Sequence, residues 1–236
     1  MDIVVASCAA YSDAWVPFVG LFRKFWPDCP YRLCLVTDRL AEPWAGDVAI
    51  EIGQDLGWGP NLVAGLRKLG GSPHVLLMQE DFFLSAPVRT DVVARALAVM
   101  RESNHNACFR LFPCPGPDMA LNDWYGLVKH DAPYRVSCQS AIWLRSELEF
   151  MAHEMPTAAH FEIEGTCKSA KRCGCLRFFS TLRTESSLWP LQYYCSAITR
   201  GQWEPDAVAF ARAQGVSVDT SRRPLRAVQG SAKETP

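Results

Sequence analysis

The sequence predicts an α/β domain with a mostly parallel central sheet flanked by helices. Three observations predict it. The chain opens in strand, helix, strand order, with Ile3 to Cys8, Ala14 to Phe25 and Tyr31 to Val36, which implies a right-handed crossover and parallel pairing. The run Val75-Leu76-Leu77-Met78 is apolar without alternation and follows the breakers Gly70-Gly71-Ser72-Pro73, as in a strand buried on both faces. It ends in Gln79-Glu80-Asp81, and open α/β sheets place their ligands at the carboxyl ends of strands.

The elements follow in order. Val16, Val19, Phe22 and Phe25 recur at helical spacing, with Asp13 placed as the N-cap and Pro27 and Pro30 beyond the end. Val48 to Ile52 is a weaker strand, after which Gly57-Trp58-Gly59-Pro60-Asn61 leads into a helix from about Leu62 to Leu69. A helix from Thr90 to Met100 and a strand from Ala107 to Phe112 come next, stopped by Pro113-Cys114-Pro115-Gly116-Pro117. Asp118 to Asp131 lacks periodicity and reads as a long surface loop. Arg135 to Leu144 reads as a strand, and Ser146 caps a helix to about Met155. Ala159 to Thr166 is short, acidic and bounded by glycine, Phe178 to Thr181 and Leu191 to Ile198 read as strands, and Asp206 to Gln214 as a helix ending at Gly215. After about Arg222 the chain lacks core material and reads as a disordered tail over 222–236.

Composition excludes several classes. At 236 residues, 49% hydrophobic and net charge -1, the chain can bury one sizeable core and shows no basic excess for nucleic acid. No apolar run approaches the roughly 20 residues that span a bilayer, and Asp2 and Asp13 interrupt any secretory leader, so the expectation is a cytoplasmic protein. Among the ten cysteines, Cys8, Cys34, Cys108 and Cys138 fall in apolar runs as small hydrophobes. Cys167, Cys173, Cys175 and Cys195 lack the paired spacing of common zinc sites, which favours free thiols over a metal centre.

Glu80 and Asp81 are two hard oxygen ligands, suited to Mn²⁺ or Mg²⁺ carrying a substrate's phosphates. Neither a Gly-x-Gly-x-x-Gly loop nor a P-loop is present, so phosphate binding would rely on that cation.

Several segments together resemble small nucleotide-sugar glycosyltransferases of the GT-A fold, of the kind found among bacterial surface-polysaccharide enzymes and large DNA viruses. They are Ile3-Val4-Val5-Ala6-Ser7-Cys8, Leu35-Val36-Thr37-Asp38, Gly57-Trp58 with Asn61, Leu76 to Phe83, Cys138-Gln139-Ser140-Ala141-Ile142-Trp143, Phe161 to Thr166, and Arg200-Gly201-Gln202-Trp203. The resemblance implies one domain over 1–221, with about 1–112 as the nucleotide-sugar half and 113–221 as the acceptor half. It implies metal-assisted transfer of a sugar from a nucleoside diphosphate, UDP favoured, to a hydroxyl of a glycan or glycolipid. A lipid-linked acceptor would bring the chain to the inner face of a membrane as a peripheral protein. The family's Asp-x-Asp corresponds to Gln79-Glu80-Asp81, so Gln79 replaces the first acid, and no histidine follows His160 to complete a metal site.

On this resemblance Ser7, Tyr11, Thr37 and Asp38 would lie near the base and ribose, Trp58, Asn61 and Arg67 behind the phosphates, and Glu80 and Asp81 on the metal, with Glu80 also able to contact the donor sugar. Gln139 and Trp143 would face the acceptor, with core packing an equal alternative for Trp143. Glu162 is the expected base of an inverting transfer, with Glu164, which shares its face on a strand, as the second candidate, and Asp123, Asp131 or a retaining mechanism without such a base as the remaining alternatives. Two alternatives stay open: a non-catalytic nucleotide- or carbohydrate-binding module, and a nucleotidyltransferase, for which Cys8-Ala9-Ala10-Tyr11 lacks the basic glycine-rich loop.

Overall fold

In the computed structural model, which describes residues 1–172, 174–185 and 188–227, the apolar runs assemble into one large sheet. Its strands are β1 (Asp2–Ala6), β2 (Leu33–Thr37), β3 (Val48–Glu51), β4 (His74–Gln79), β5 (Asn106–Arg110), β6 (Met119–Ala120), β7 (Tyr125–Val128), β8 (Ala141–Leu144) and β9 (Arg177–Thr181). They lie in the order β3-β2-β1-β4-β8-β5-β9-β7-β6. β1 pairs in parallel with both β2 and β4, and β7 and β8 run against their neighbours β9, β4 and β5. A short hairpin, β10 (Ile198–Thr199) with β11 (Gln202–Trp203), stands apart.

The alternation of side chains along β4 divides the core. Leu76 and Met78 enter one cluster with Phe18 and Phe22 of α1 (Trp15–Phe25), Val93 and Leu97 of α3 (Thr90–Arg101) and Val208 of α6 (Pro205–Ala213). Val75 and Leu77 enter the other, with Leu62 and Leu66 of α2 (Trp58–Leu69), Leu148 and Met151 of α4 (Arg145–Ala152) and Phe161 of α5 (Ala158–Lys171). Each fully buried aliphatic side chain contributes about 1.5–3 kcal/mol of transfer free energy. Helices α2 and α4 meet closely because Gly59 has no Cβ; one built there would lie 2.0 Å from the Ala152 carbonyl oxygen.

The structure corrects several expectations. Helix α2 begins at Trp58, four residues before the expected start. The segment 118–131 contains β6 and β7. Residues 159–166 are helical, part of α5, whose N-cap Thr157 accepts from the His160 amide. The strand expected from Arg135 exists only from Ala141. Upstream of it, α5 side chains replace ladder partners: the Val136 amide donates to Thr166 Oγ1 and the Cys138 amide to Glu162 Oε1. Arg135 itself is buried, donating to the carbonyls of Ser169 and Leu176. The strand expected over Leu191–Ile198 contributes only an isolated bridge from Tyr193 to Leu84 before β10.

The expected tail is a correction too, for its first six residues. Trp203 donates its amide to the Pro224 carbonyl and accepts from the Arg226 amide, so 222–227 runs alongside β11 as a strap; residues 228–236 lie outside the described residues. Asp13 does not cap α1, whose N-cap is Ala14, because its carboxylate is taken by Arg223. Cys175 is disulfide-bonded instead of a free thiol, and Cys173 lies outside the described residues.

Candidate active site

A cleft of about 610 Å³ opens at the carboxyl ends of β1 and β4, the size of a small-ligand site. Its floor is Gln79-Glu80-Asp81, where β4 turns out of the sheet. Glu80 is 7% exposed. Burial, then the charge of Asp81, pushes its carboxyl well above the usual carboxylate range, against a hydrogen bond from Ser7 that pulls it down. Asp81 accepts from the Ser196 hydroxyl at 2.6 Å, and burial raises its carboxyl to about 6. Backbone holds this turn in register, since the Ala197 amide donates to the Asp81 carbonyl and the Tyr194 amide to that of Phe83.

One wall is the arc from Ser7 through a 3₁₀ turn over Ala9–Ala14, presenting Ser7, Cys8 and Tyr11 to the cleft. The Ser7 hydroxyl is fixed by the Trp15 indole at 2.8 Å. Arg222 and Arg223 brace the arc from behind: Arg222 donates to Ser12 Oγ and the Ala9 carbonyl, Arg223 to both Asp13 oxygens and the Ala10 carbonyl. The Arg223 guanidinium lies 4.5 Å from the Tyr11 ring centroid.

The facing wall comes from the starts of α2 and α5. Trp58 packs its ring on Phe161 at 4.9 Å and donates to Gln79 Oε1 at 3.4 Å. Asn61 does not face out freely: its amide accepts from Leu56 and donates to Asp55 Oδ1, an arrangement that also takes the Gly57 amide. Glu162 projects from α5 with Oε1 held by the Cys138 amide at 2.9 Å. Gln139 is oriented by the Tyr193 hydroxyl, which donates to Oε1 at 2.8 Å and accepts the Ser140 amide.

Thus Ser7, Tyr11, Trp58, Asn61, Glu80, Asp81, Gln139 and Glu162 meet in one cleft. Five expected residues do not line it. Thr37 and Asp38 sit behind the arc, where Asp38 accepts the Ala9 amide at 2.7 Å and Thr37 is buried. Arg67 is an exposed partner of Glu149 at 3.6 Å. Trp143 is fully buried between Phe161 and Phe178. Glu164 is exposed, because two residues along a helix turn a side chain away, where two along a strand would keep it on the same face. The sequence reading missed Asp55, Ser196, Tyr193 and residues 156–159. Only Asp55 carried a signal, an Asp two residues before Gly57 at the head of a helix.

The lining includes four carboxylates, Asp55, Glu80, Asp81 and Glu162, and among the described lining residues no lysine, arginine or histidine. Among the described residues no group of three or more His, Cys, Asp and Glu forms a metal cage.

No family model matches the sequence, and no curated protein does. Solved structures do. A 1–349 fragment of TarS from S. aureus superposes with a TM-score of 0.50 at 15% identity, covering 78% of this chain and 59% of that one. The 2-C-methyl-D-erythritol 4-phosphate cytidylyltransferase from Thermus thermophilus gives 0.49 at 16% identity, covering 91% and 98%. The galactosyltransferase LgtC, with donor and acceptor sugar analogs, gives 0.45 at 10% identity, covering 94% and 98%. This chain therefore spans under two thirds of the TarS fragment, and what the likeness carries is architecture: the chain has the GT-A-like fold of nucleotide-diphospho-sugar transferases.

Proposed function

We propose that this chain transfers a sugar from a nucleoside-diphosphate donor, UDP-sugar first among candidates, to a hydroxyl of a glycan or glycolipid, with inversion. The observation that supports it is the cleft's charge: buried Glu80 beside half-buried Asp81 on the floor, Glu162 on the far wall and no cationic side chain among the described lining residues. A diphosphate entering such a cleft alone would meet carboxyl groups and no lining cation at short range. With a divalent cation it would carry its own.

The donor set fits that cation. Glu80 and Asp81 offer hard oxygens at the turn, with Asp81 Oδ2 accepting from Ser196. Two carboxylates with substrate phosphates and waters are how Mg²⁺ is commonly held. Bound there, the cation supplies positive charge where the leaving diphosphate gains negative charge.

The chain's own residues supply the rest. The acceptor hydroxyl attacks C1 of the sugar as the bond from C1 to the phosphate oxygen breaks, its electron pair leaving with the diphosphate, through an oxocarbenium-like transition state. Glu162 takes the hydroxyl proton; the Cys138 amide on Oε1 leaves Oε2 for that role. Gln139, held by Tyr193, orients a sugar hydroxyl. Gln79, tied to Trp58, is not free to replace the missing first acid, which favours the second reading, a binding module that holds the nucleotide without transfer.

The test is thermal unfolding against nucleoside diphosphates, each with and without Mn²⁺ or Mg²⁺. A ligand selective for the native state stabilises it by about 2.7 kcal/mol at a hundred times its dissociation constant. The expected result is a shift with one nucleotide that requires metal and disappears in Asp81→Ala. No shift at millimolar concentrations rejects the nucleotide-sugar reading; a shift without release of nucleoside diphosphate in the presence of acceptors selects the binding module.

A further inference from the structure

Among the described residues, four guanidinium groups rest 4.0 to 4.6 Å from an aromatic ring centre, those of Arg95, Arg135, Arg172 and Arg223. Three are already held at their edges by oxygen. Arg135 donates to the carbonyls of Ser169 and Leu176, Arg172 forks onto Glu147, and Arg223 forks onto Asp13. The fourth is different. Arg95 lies 4.6 Å from the Trp124 ring centroid and, among the described residues, has no hydrogen bond or ion pair. Phe109 stacks on the same indole at 5.4 Å, so the platform under the guanidinium is fixed while its N–H edge stays open.

Arg95 lines a hollow of about 190 Å³ at the carboxyl end of β9, and Arg89, at the start of α3, lines it too. β9 runs parallel to β5, and both β5 and β4 run against β8, so this hollow lies at the same end of the sheet as the cleft. The two share a wall. Phe82 lines the cleft and Trp189 the hollow, and Tyr193 and Phe112 fill the space between them, ring on ring at 4.7, 4.4 and 5.0 Å. Arg89 is only loosely matched, 3.9 Å from Asp91. Against the two arginines the described lining has one acid, Asp123, which leaves one positive charge in excess. The volume is below the roughly 300 Å³ at which pockets for whole small ligands begin, so the hollow takes one group of a larger molecule.

We infer that this hollow is a subsite for a carboxylate-bearing sugar of the acceptor, gripped by Arg95 with Arg89 beside it. On the transferase reading of the cleft, on which this rests, the acceptor is then an acidic glycan. A guanidinium fork matches the two oxygens of a planar carboxylate. A carboxylate brings one negative charge, equal to the excess of the lining, whereas a phosphate monoester brings about 1.5 to 2. The cleft, with four carboxylates and no cationic side chain among its described lining residues, has nothing to hold such a group. The hollow across the shared wall does.

The experiment titrates three probes, methyl β-glucuronide, methyl β-glucoside and inorganic phosphate, well past the millimolar range into wild type, Arg95→Gln, Arg95→Lys and Asp81→Ala. Binding is followed by NMR through the Trp189 indole signal, identified by its loss in Trp189→Phe. In wild type the glucuronide is expected to bind at least about tenfold more tightly than the glucoside, the weight of one charge-assisted hydrogen bond. Arg95→Gln should remove that preference. Arg95→Lys keeps the charge and loses the fork, so it should retain only part, and Asp81→Ala should retain all of it. Arg95 is exposed, so these substitutions test binding in a folded chain. Equal binding of glucuronide and glucoside, a preference that survives Arg95→Gln, phosphate bound as tightly as the glucuronide, or a Trp189 signal that no probe moves overturns the inference. Loss of the glucuronide in Asp81→Ala overturns it too, by placing the ligand in the cleft. A wild type that binds glucuronide but no nucleoside diphosphate with metal removes the transferase reading and the acceptor role with it; one that binds UDP with Mn²⁺ but no glucuronide removes the hollow's role alone.

Discussion

The two ends of the sheet carry hollows of similar size and opposite charge. The cleft at the carboxyl ends is about 610 Å³ and holds four carboxylates. The hollow at the amino ends of β5 and β9 is about 650 Å³ and is lined by His105, Lys168, Lys171 and Arg172 with Glu147 as its one acid among the described residues. Helix α5 joins them, with Glu162 at one and Lys168 to Arg172 at the other. In the basic hollow Arg172 and Lys168 are already engaged. Arg172 forks onto Glu147 at 2.7 and 3.2 Å and lies 4.0 Å from the centre of the Phe150 ring, and Lys168 donates to the His153 carbonyl. Basic residues in the last turn of α5 also complement the negative end of its dipole. In the acidic cleft Glu80 and Asp81 are neighbours on the floor, with no cationic side chain among the described lining residues. Size does not distinguish the two hollows here; carboxylates without a cationic side chain among the described lining residues do.

Four experiments on five substitutions test that contrast, in decreasing order of effect. Asp81→Ala should abolish metal-dependent nucleotide binding and turnover together, read by calorimetric titration with Mn²⁺; retained metal-dependent affinity would mean the charge pair is not the ligand site. Glu162→Gln should lower turnover about 10²- to 10⁴-fold with nucleotide affinity unchanged, while Glu164→Gln, on the outer face of the same helix, should leave both alone. Equal effects of the two would remove the distinction between cleft and surface. Gly59→Ala drives a methyl into the Ala152 carbonyl and should cost about 1–3 kcal/mol, a drop of roughly 2–4 °C in Tm per kcal/mol for a chain of this length, since α2 carries Trp58 on the cleft wall. Lys171→Glu, in the basic hollow, should stay within about 0.5 kcal/mol of wild type and bind nucleotide normally; a large loss of binding there would show that the basic end takes part in function.

Local signals carry the fold a long way. The order β1, α1, β2 and the floor turn Gln79-Glu80-Asp81 are legible because each is a short apolar run with breakers around it, and the chain direction alone puts the turn at the ligand end. Helix α5 is hidden by the alternation of Phe161 and Ile163 and by Gly165. That glycine is required where the helix crosses Val136, since a Cβ there would lie 2.9 Å from the valine methyl. Reading the segment as extended moves Glu164 into the site and leaves out residues 156–159. Trp143 reads as an amphipathic sugar platform, but β8 is an inner strand paired on both sides, so its ring goes to the core. Thr37-Asp38 is legible at the right strand end, yet Asp38 accepts the Ala9 amide of the arc and the Thr37 hydroxyl turns back onto Asp38 and the Arg39 carbonyl. The strap is beyond sequence reasoning altogether: arginines among prolines and serines carry no periodicity, and their partners are 210 and 213 residues away.

That separation has a consequence for how the protein is made. Synthesis at about 5–20 residues per second puts about 10–40 s between the emergence of Asp13 and that of Arg223, which pair across 210 residues. Throughout that interval the sheet strands beside the arc can form, while Tyr11 waits for the guanidinium that seats it. The arc wall of the cleft is thus finished later than the floor it faces, and a nascent chain halted before Arg222 would carry the carboxylates without the braced wall opposite them.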